Sequence, residues 1–248
     1  MLKRIVLLIM LFISIATAKE LQVVFTYTTP PFVFKDGTGI VIDIVKESLA
    51  YRNYTVKPLF VNIGRGFEMF KNGYVDATSL IKKSSGLKAY YSEPFMQYHN
   101  IIISLKSNHY KVKNLSDLKS YYFIAFQNAK VYLGKEFEEV SKQAGDKYSE
   151  IADQKSQVYK LFMGRTDFIV MDRHIFEYYK NELIYEDKVS KDIKVSFFEP
   201  FEPTKYRTAF KDKKVRDDFN IGLKYLKETN RYDKIYDDYS SKYFKVKK

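Results

Sequence analysis

The chain has 248 residues, with 22 Tyr and 20 Phe but no Trp and no Cys, and a formal net charge of +12. Without cysteine there is no disulfide framework and no thiolate metal site, and the three histidines (His99, His109, His174) are far apart with no HxxxH spacing, so no metal or other cofactor is expected. The lysines are scattered rather than gathered in one run, which argues against nucleic acid and leaves a solvated surface, an anionic ligand or an anionic membrane face as readings of the charge.

Residues 1–18 read as a secretory signal peptide. Lys3 and Arg4 form a short basic start, residues 5–15 are an almost unbroken apolar run, and Ala16-Thr17-Ala18 is a small-residue cleavage site. The run is short for a membrane span, and no cysteine is available for the lipid anchor of a lipoprotein. The mature chain is expected to begin near Lys19, free in the periplasm, where nucleic acid is not a natural partner.

Residues 21–26 (LQVVFT) form a short β run that stops at Thr28-Thr29-Pro30-Pro31, and 32–34 is a second extended piece. After a turn over 35–39, Val41, Ile44, Val45, Ser48 and Leu49 recur at helical spacing and predict a helix over 40–52. A strand over 55–61, a helix over 64–72 ended by Asn72-Gly73, and a strand over 75–81 complete a β-α-β-α-β order, the pattern of a parallel sheet covered by helices. Residues 98–105 (YHNIIISL) predict one strand, 121–126 another, 130–143 and 155–163 helices, 167–171 a strand and 173–181 a helix. A return strand over 206–210 and helices over 213–227 and 232–244 close the chain.

This order predicts an α/β fold of two doubly wound lobes joined by two crossover segments near 105 and 200. The first lobe takes residues 19–105 and 200–248, the second 106–199, and a ligand cleft lies between them. Ligands of open α/β sheets bind beyond the carboxyl ends of the strands. The candidate stretches are therefore 26–32, 63–65, 80–83 and 127–130, together with Asp172.

The motifs resemble a known family. LQVVFTYTTPPF (21–32), GIVIDI (39–44), FKNGYVDA (70–77), SEPF (92–95), LSDLK (115–119), GRTDFIVMD (164–172) and the closing segment 226–239 are similar, in the right order, to those of type II periplasmic solute-binding proteins of the polar amino-acid family, family 3. The resemblance spans residues 20–244 and implies a small-molecule ligand held between the lobes, a monomer, and delivery to an inner-membrane ABC permease. It also implies that Asp172 binds the ligand's α-amino group. A carboxylate at a strand tip inside a closing cleft suits that role, but Asp is equally a favoured helix N-cap, and Asp172 precedes a helix.

The sequence departs from the family pattern where the ligand's carboxylate is held. The family's Arg after the third strand is missing from LIKKSSGLK (80–88); Lys88 takes its position if a gap follows, Lys82 or Lys83 supplies a point charge instead, or these lysines are a solvated loop. Arg65, in NIGRG (62–66), is a second candidate cation, resembling a subgroup with an Arg at this strand end; the alternative is a surface Arg. In the second lobe the family's G-[ST]-[ST] cradle is replaced by Gln127-Asn128-Ala129-Lys130, whose backbone N–H groups are expected to stay available, with Gln127 and Lys130 at the ligand. Thr29, Phe32 and Phe126 are expected to wall the cleft, Phe32 being also a natural core residue. Two other functions stay open: a ligand-sensing partner of a membrane sensor, and a cyclohexadienyl-dehydratase-like enzyme, for which Asp172 is the sole obvious acid–base group. A non-enzymatic binding protein is the expected reading.

Overall fold

The computed structural model describes residues 18–26 and 29–243. Apart from Ala18, the expected signal peptide lies outside the described residues, as does the tail from Phe244. In chain order the first half carries β1 (Lys19–Thr26), α1 (Ile40–Ala50), β2 (Tyr54–Val61), α2 (Ile63–Lys71), β3 (Ala77–Ile81), β4 (Tyr90–Tyr91) and β5 (Met96–Tyr98). The second half carries β6 (Asn100–Leu105), β7 (Phe123–Phe126), α3 (Ala129–Tyr132), α4 (Lys135–Ala144), β8 (Tyr148–Ile151), α5 (Gln154–Phe162), β9 (Phe168–Asp172), α6 (Arg173–Tyr185) and β10 (Val195–Phe198). The chain then returns to the first sheet through β11 (Thr204–Phe210) and ends in α7 (Lys213–Glu228) and α8 (Arg231–Tyr243).

Two mixed sheets result, one ordered β2-β1-β3-β11-β4 with β5 on β11, the other β10-β6-β9-β7-β8. Each has a parallel heart, β2-β1-β3 and β9-β7-β8, as the alternating strand–helix pattern requires. Each also holds antiparallel strands, β11 against β3 and β6 against β9, because these strands arrive from the other half and enter from the opposite end. The sheets are apolar on both faces: Val23, Ala77 and Phe210 pack under α1 and α7, and Val24, Ile81 and Ala209 pack under α2. In the second sheet Phe123 and Val170 face α4, while Ile124 and Ile169 face α5. Such two-sided burial explains why the strands read as continuous apolar runs.

The α1 helix buries the periodic positions Val41, Ile44, Val45, Ser48 and Leu49, and Ile40 and Ile42 besides. Its start depends on Gly39, at φ 134°, where a Cβ would lie 2.3 Å from the Phe32 carbonyl oxygen. That closeness lets the N–H groups of Ile40 and Val41 donate to the carbonyls of Pro31 and Phe32, which locks the 29–34 turn onto the helix. Residues 32–34 form no strand; only an isolated bridge joins Thr29 and Val33.

Three other expectations change. The single strand 98–105 is two, β5 and β6, which join different sheets with His99 between them. The helix over 130–143 is split into α3 and α4 at Leu133-Gly134, where Gly134 takes φ 95° and ends the helical run. The short strands β4, β8 and β10 have no apolar pattern strong enough to announce them; they form by pairing along existing edges.

Candidate functional site

Among the carboxyl ends of the parallel strands, where a ligand is expected, that of β3 approaches the second half directly, through Lys82 and Tyr132. At the end of β3 the ladder is irregular. Three steps on β3, from Thr78 to Ile81, oppose two on β11, from Arg207 to Ala209, and the extra residue is accommodated with Leu80 at φ 57°. A bulky residue in the left-handed region is strained, and a bulge re-aims the side chains that follow it. The next residue is Lys82. Its ammonium sits 5.2 Å from the ring centre of Tyr132, on α3 of the second half, and 5.9 Å from that of Tyr206, on β11. The cation thus spans the crevice between two aromatic faces. Lys82 is half-buried and its ammonium makes no hydrogen bond or ion pair among the described residues; burial pushes it below the ordinary lysine range.

Behind Lys82 lies a wall of rings. Tyr98 meets Phe32 and Tyr206 edge-on, each with centroids 5.1 Å away, and His174 packs between Phe32 and Tyr236. Burial pushes the Tyr206 hydroxyl up to about 12, with Tyr132 adding to the effect, and raises those of Tyr98 and Tyr236 further. These three phenols are therefore uncharged at neutral pH. The Thr29 hydroxyl is buried beside the Tyr98 phenol, outside good hydrogen-bond geometry.

The two carboxylates nearest the strand tips are already engaged. Asp172 ends β9, is 2% exposed, and accepts backbone N–H bonds on both oxygens: Oδ1 from His174 (2.8 Å) and Ile175 (3.2 Å), Oδ2 from His99 (2.7 Å). It caps α6 and also pins the crossing residue between β5 and β6. Glu150, on β8, accepts from the N–H groups of Asn128 (2.7 Å) and Lys130 (3.2 Å) and from the Tyr148 hydroxyl (2.6 Å). The Gln127–Lys130 turn was expected to keep its donors available; instead Glu150 occupies two of them, an internal carboxylate where the family pattern leaves room for a ligand's.

The remaining candidates are dispersed. Arg65 is exposed in the first turn of α2, past the end of the edge strand β2; the Asn62 side chain accepts its backbone N–H at 2.9 Å, and its guanidinium has no partner among the described residues. Lys88 is exposed just before β4, on the other side of β11. Gln127 and Lys130 are exposed, Phe126 is half-buried against the core of the second half, and Phe32 is fully buried. The structure thus gathers Phe32 and Thr29 with the ring wall, and leaves Arg65 in the first turn of α2 and Lys88 in the loop before β4. Tyr98, Tyr132, Tyr206 and Glu150 escaped the sequence reading. Gly134 is the signal that would have freed Tyr132 from a continuous helix. Two cavities, about 400 and 300 Å3, are lined only by residues of the second half and do not touch this region. Among the described residues no group of His, Asp or Glu is placed to hold a metal ion.

Two wound sheets, two crossing strands and polar groups meeting in the gap between them define the fold of a two-lobed, hinged binding protein. Residues 21–242 match the model of the bacterial extracellular solute-binding proteins, family 3, and the chain belongs to that family. Solved structures with the same fold include an ancestral arginine-binding protein bound to arginine (22% identity, 90% of this chain and 99% of that one, TM-score 0.67). Two more are ArtJ, the arginine-, lysine-, histidine-binding protein of Geobacillus stearothermophilus (17%, 89% and 95%, 0.64), and an ABC uptake transporter substrate-binding protein of Streptococcus pneumoniae with bound histidine (18%, 91% and 92%, 0.66). No curated protein sequence matches the chain.

Proposed function

We propose that the protein is a periplasmic solute receptor that captures a small polar or charged molecule between its halves and delivers it to an ABC permease, without chemical turnover. The observation that carries this reading is family membership over nearly the full chain, joined to a cation of one half that meets an aromatic ring of the other across the gap. The neighbours' amino-acid ligands make amino acids and their relatives the first class to test. Arg65, Asp172, Lys88, Thr29, Phe32, Phe126, Gln127 and Lys130 remain candidates, to which we add Lys82, Tyr132 and Tyr206.

The test is a thermal-shift screen of the mature protein against amino acids, carboxylates, polyamines and small sugars. A solute at 100 times its dissociation constant stabilises the fold by about 2.7 kcal/mol, which at this chain length raises the melting temperature by about 5 °C or more. A panel without any shift at millimolar concentration rejects solute capture.

A further inference from the structure

The charge balance of the crevice is one-sided. Both carboxylates at the strand tips of the second half are consumed internally: Asp172 by three backbone N–H groups, Glu150 by two and by the Tyr148 hydroxyl. An ammonium-bearing ligand would have to share a 2% exposed carboxylate with the bonds that hold α6 and the crossing segment in place. Lys82, by contrast, is a half-buried cation with no counter-ion among the described residues. It follows a strained bulge at Leu80, and its ammonium lies over the faces of Tyr132 and Tyr206. A cation so placed gains from an anion far more than it would in bulk water, because both partners sit at reduced dielectric. The two rings also offer a flat apolar flank to whatever carries that anion.

We propose that the ligand is a small organic carboxylate that needs no ammonium group, held through its carboxylate by Lys82 and along its body by Tyr132 and Tyr206. The proposal rests on the solute-capture reading above and narrows its solute class. Lys82 then does in this chain what the missing Arg does in the family pattern, and the second half contributes a ring rather than a backbone cradle, since Glu150 already fills that cradle.

The experiment is isothermal titration and thermal shift of the mature protein with succinate, benzoate, glutamate, arginine and putrescine. Succinate or benzoate is expected to bind, arginine and putrescine to give no shift. Lys82→Met is expected to weaken carboxylate binding at least tenfold and Lys82→Arg to retain it. Tyr132→Leu alters only the lip of the crevice, where the ring is 42% exposed, and is expected to weaken binding about fivefold. This second variant keeps the test decisive should Lys82→Met fold poorly. Binding of arginine or putrescine in place of the carboxylates overturns the proposal while leaving solute capture intact, as does carboxylate affinity unchanged within twofold in Lys82→Met or Tyr132→Leu. A blank panel overturns the carboxylate proposal alone, since solute capture is rejected only by the broader screen described above.

Discussion

Asp172 illustrates how one side chain carries two readings until its neighbours are known. At the end of an apolar strand and the start of a helix, a carboxylate suits either a ligand or a cap. The deciding partner is the His99 N–H, 73 positions away, in the crossing between β5 and β6. With three backbone N–H groups bound and the group 2% exposed, Asp172 braces α6 and the crossing segment. Asp172→Ala is expected to cost about 3 kcal/mol, from a lost cap and buried donors left without acceptors. Asp172→Asn keeps one acceptor but turns an amide donor or a weaker oxygen toward His99, and is expected to cost about half as much. Urea unfolding midpoints measure both; an Ala variant within 1 kcal/mol of the parent would remove the bracing role.

The α1–α7 pair shows how an element is held. Gly222 of α7 lies so close to α1 that an added Cβ would stand 1.8 Å from the Ser48 carbonyl oxygen. Gly222→Ala must therefore push the helices apart, and is expected to lower stability by about 2 kcal/mol or more despite Ala's better helix propensity, as a drop in melting temperature will reveal. On the same helix Asp218 accepts bonds from Tyr54 (2.8 Å), Lys214 (2.5 Å) and Arg52 (3.1 Å). Burial pushes its carboxyl up, but these three donors together outweigh burial and hold it below the ordinary 3.8. A depressed carboxyl stabilises the fold above its unfolded value and loses that contribution as pH falls through its folded one. The stability gap between the parent and Asp218→Asn is thus expected at pH 7 and should narrow as the pH falls below the ordinary 3.8, measured by denaturant unfolding at neutral and acid pH. A gap that does not change with pH would contradict this account of α7.

The two halves meet at a hinge made of two short crossings. His99 lies in one; Glu199 begins the other and pairs with His99 Nε2 at 3.4 Å and with Arg173 of α6. The crossings are therefore tied to each other and to the cap of α6, while the far side of the gap is bridged by the weaker contact of Lys82 with Tyr132. Motion is expected to be a rotation about the tied side. Small-angle scattering should register a smaller radius of gyration at saturating ligand than without it, and an unchanged radius would count against closure. The net charge of +12 acts at this level too, since it draws anions toward a gap in which the Lys82 ammonium has no counter-ion among the described residues.

Local pattern alone determined the alternation of strands and helices, the two-unit organisation and the family motifs, because apolar period, turn residues and motif order are all written within a few residues of one another. The same pattern could recognise that the carboxylate-binding Arg was missing and that Lys82, Lys83 or Lys88 stood nearby. It could not choose among them. That choice depended on a bulge created by pairing β3 with β11, on a helix broken at Gly134, and on a glutamate from β8 reaching the turn after β7. Each is a contact between segments distant in sequence, set by sheet pairing rather than by spacing, so only the folded chain reveals which cation faces the gap and which carboxylates are already spent.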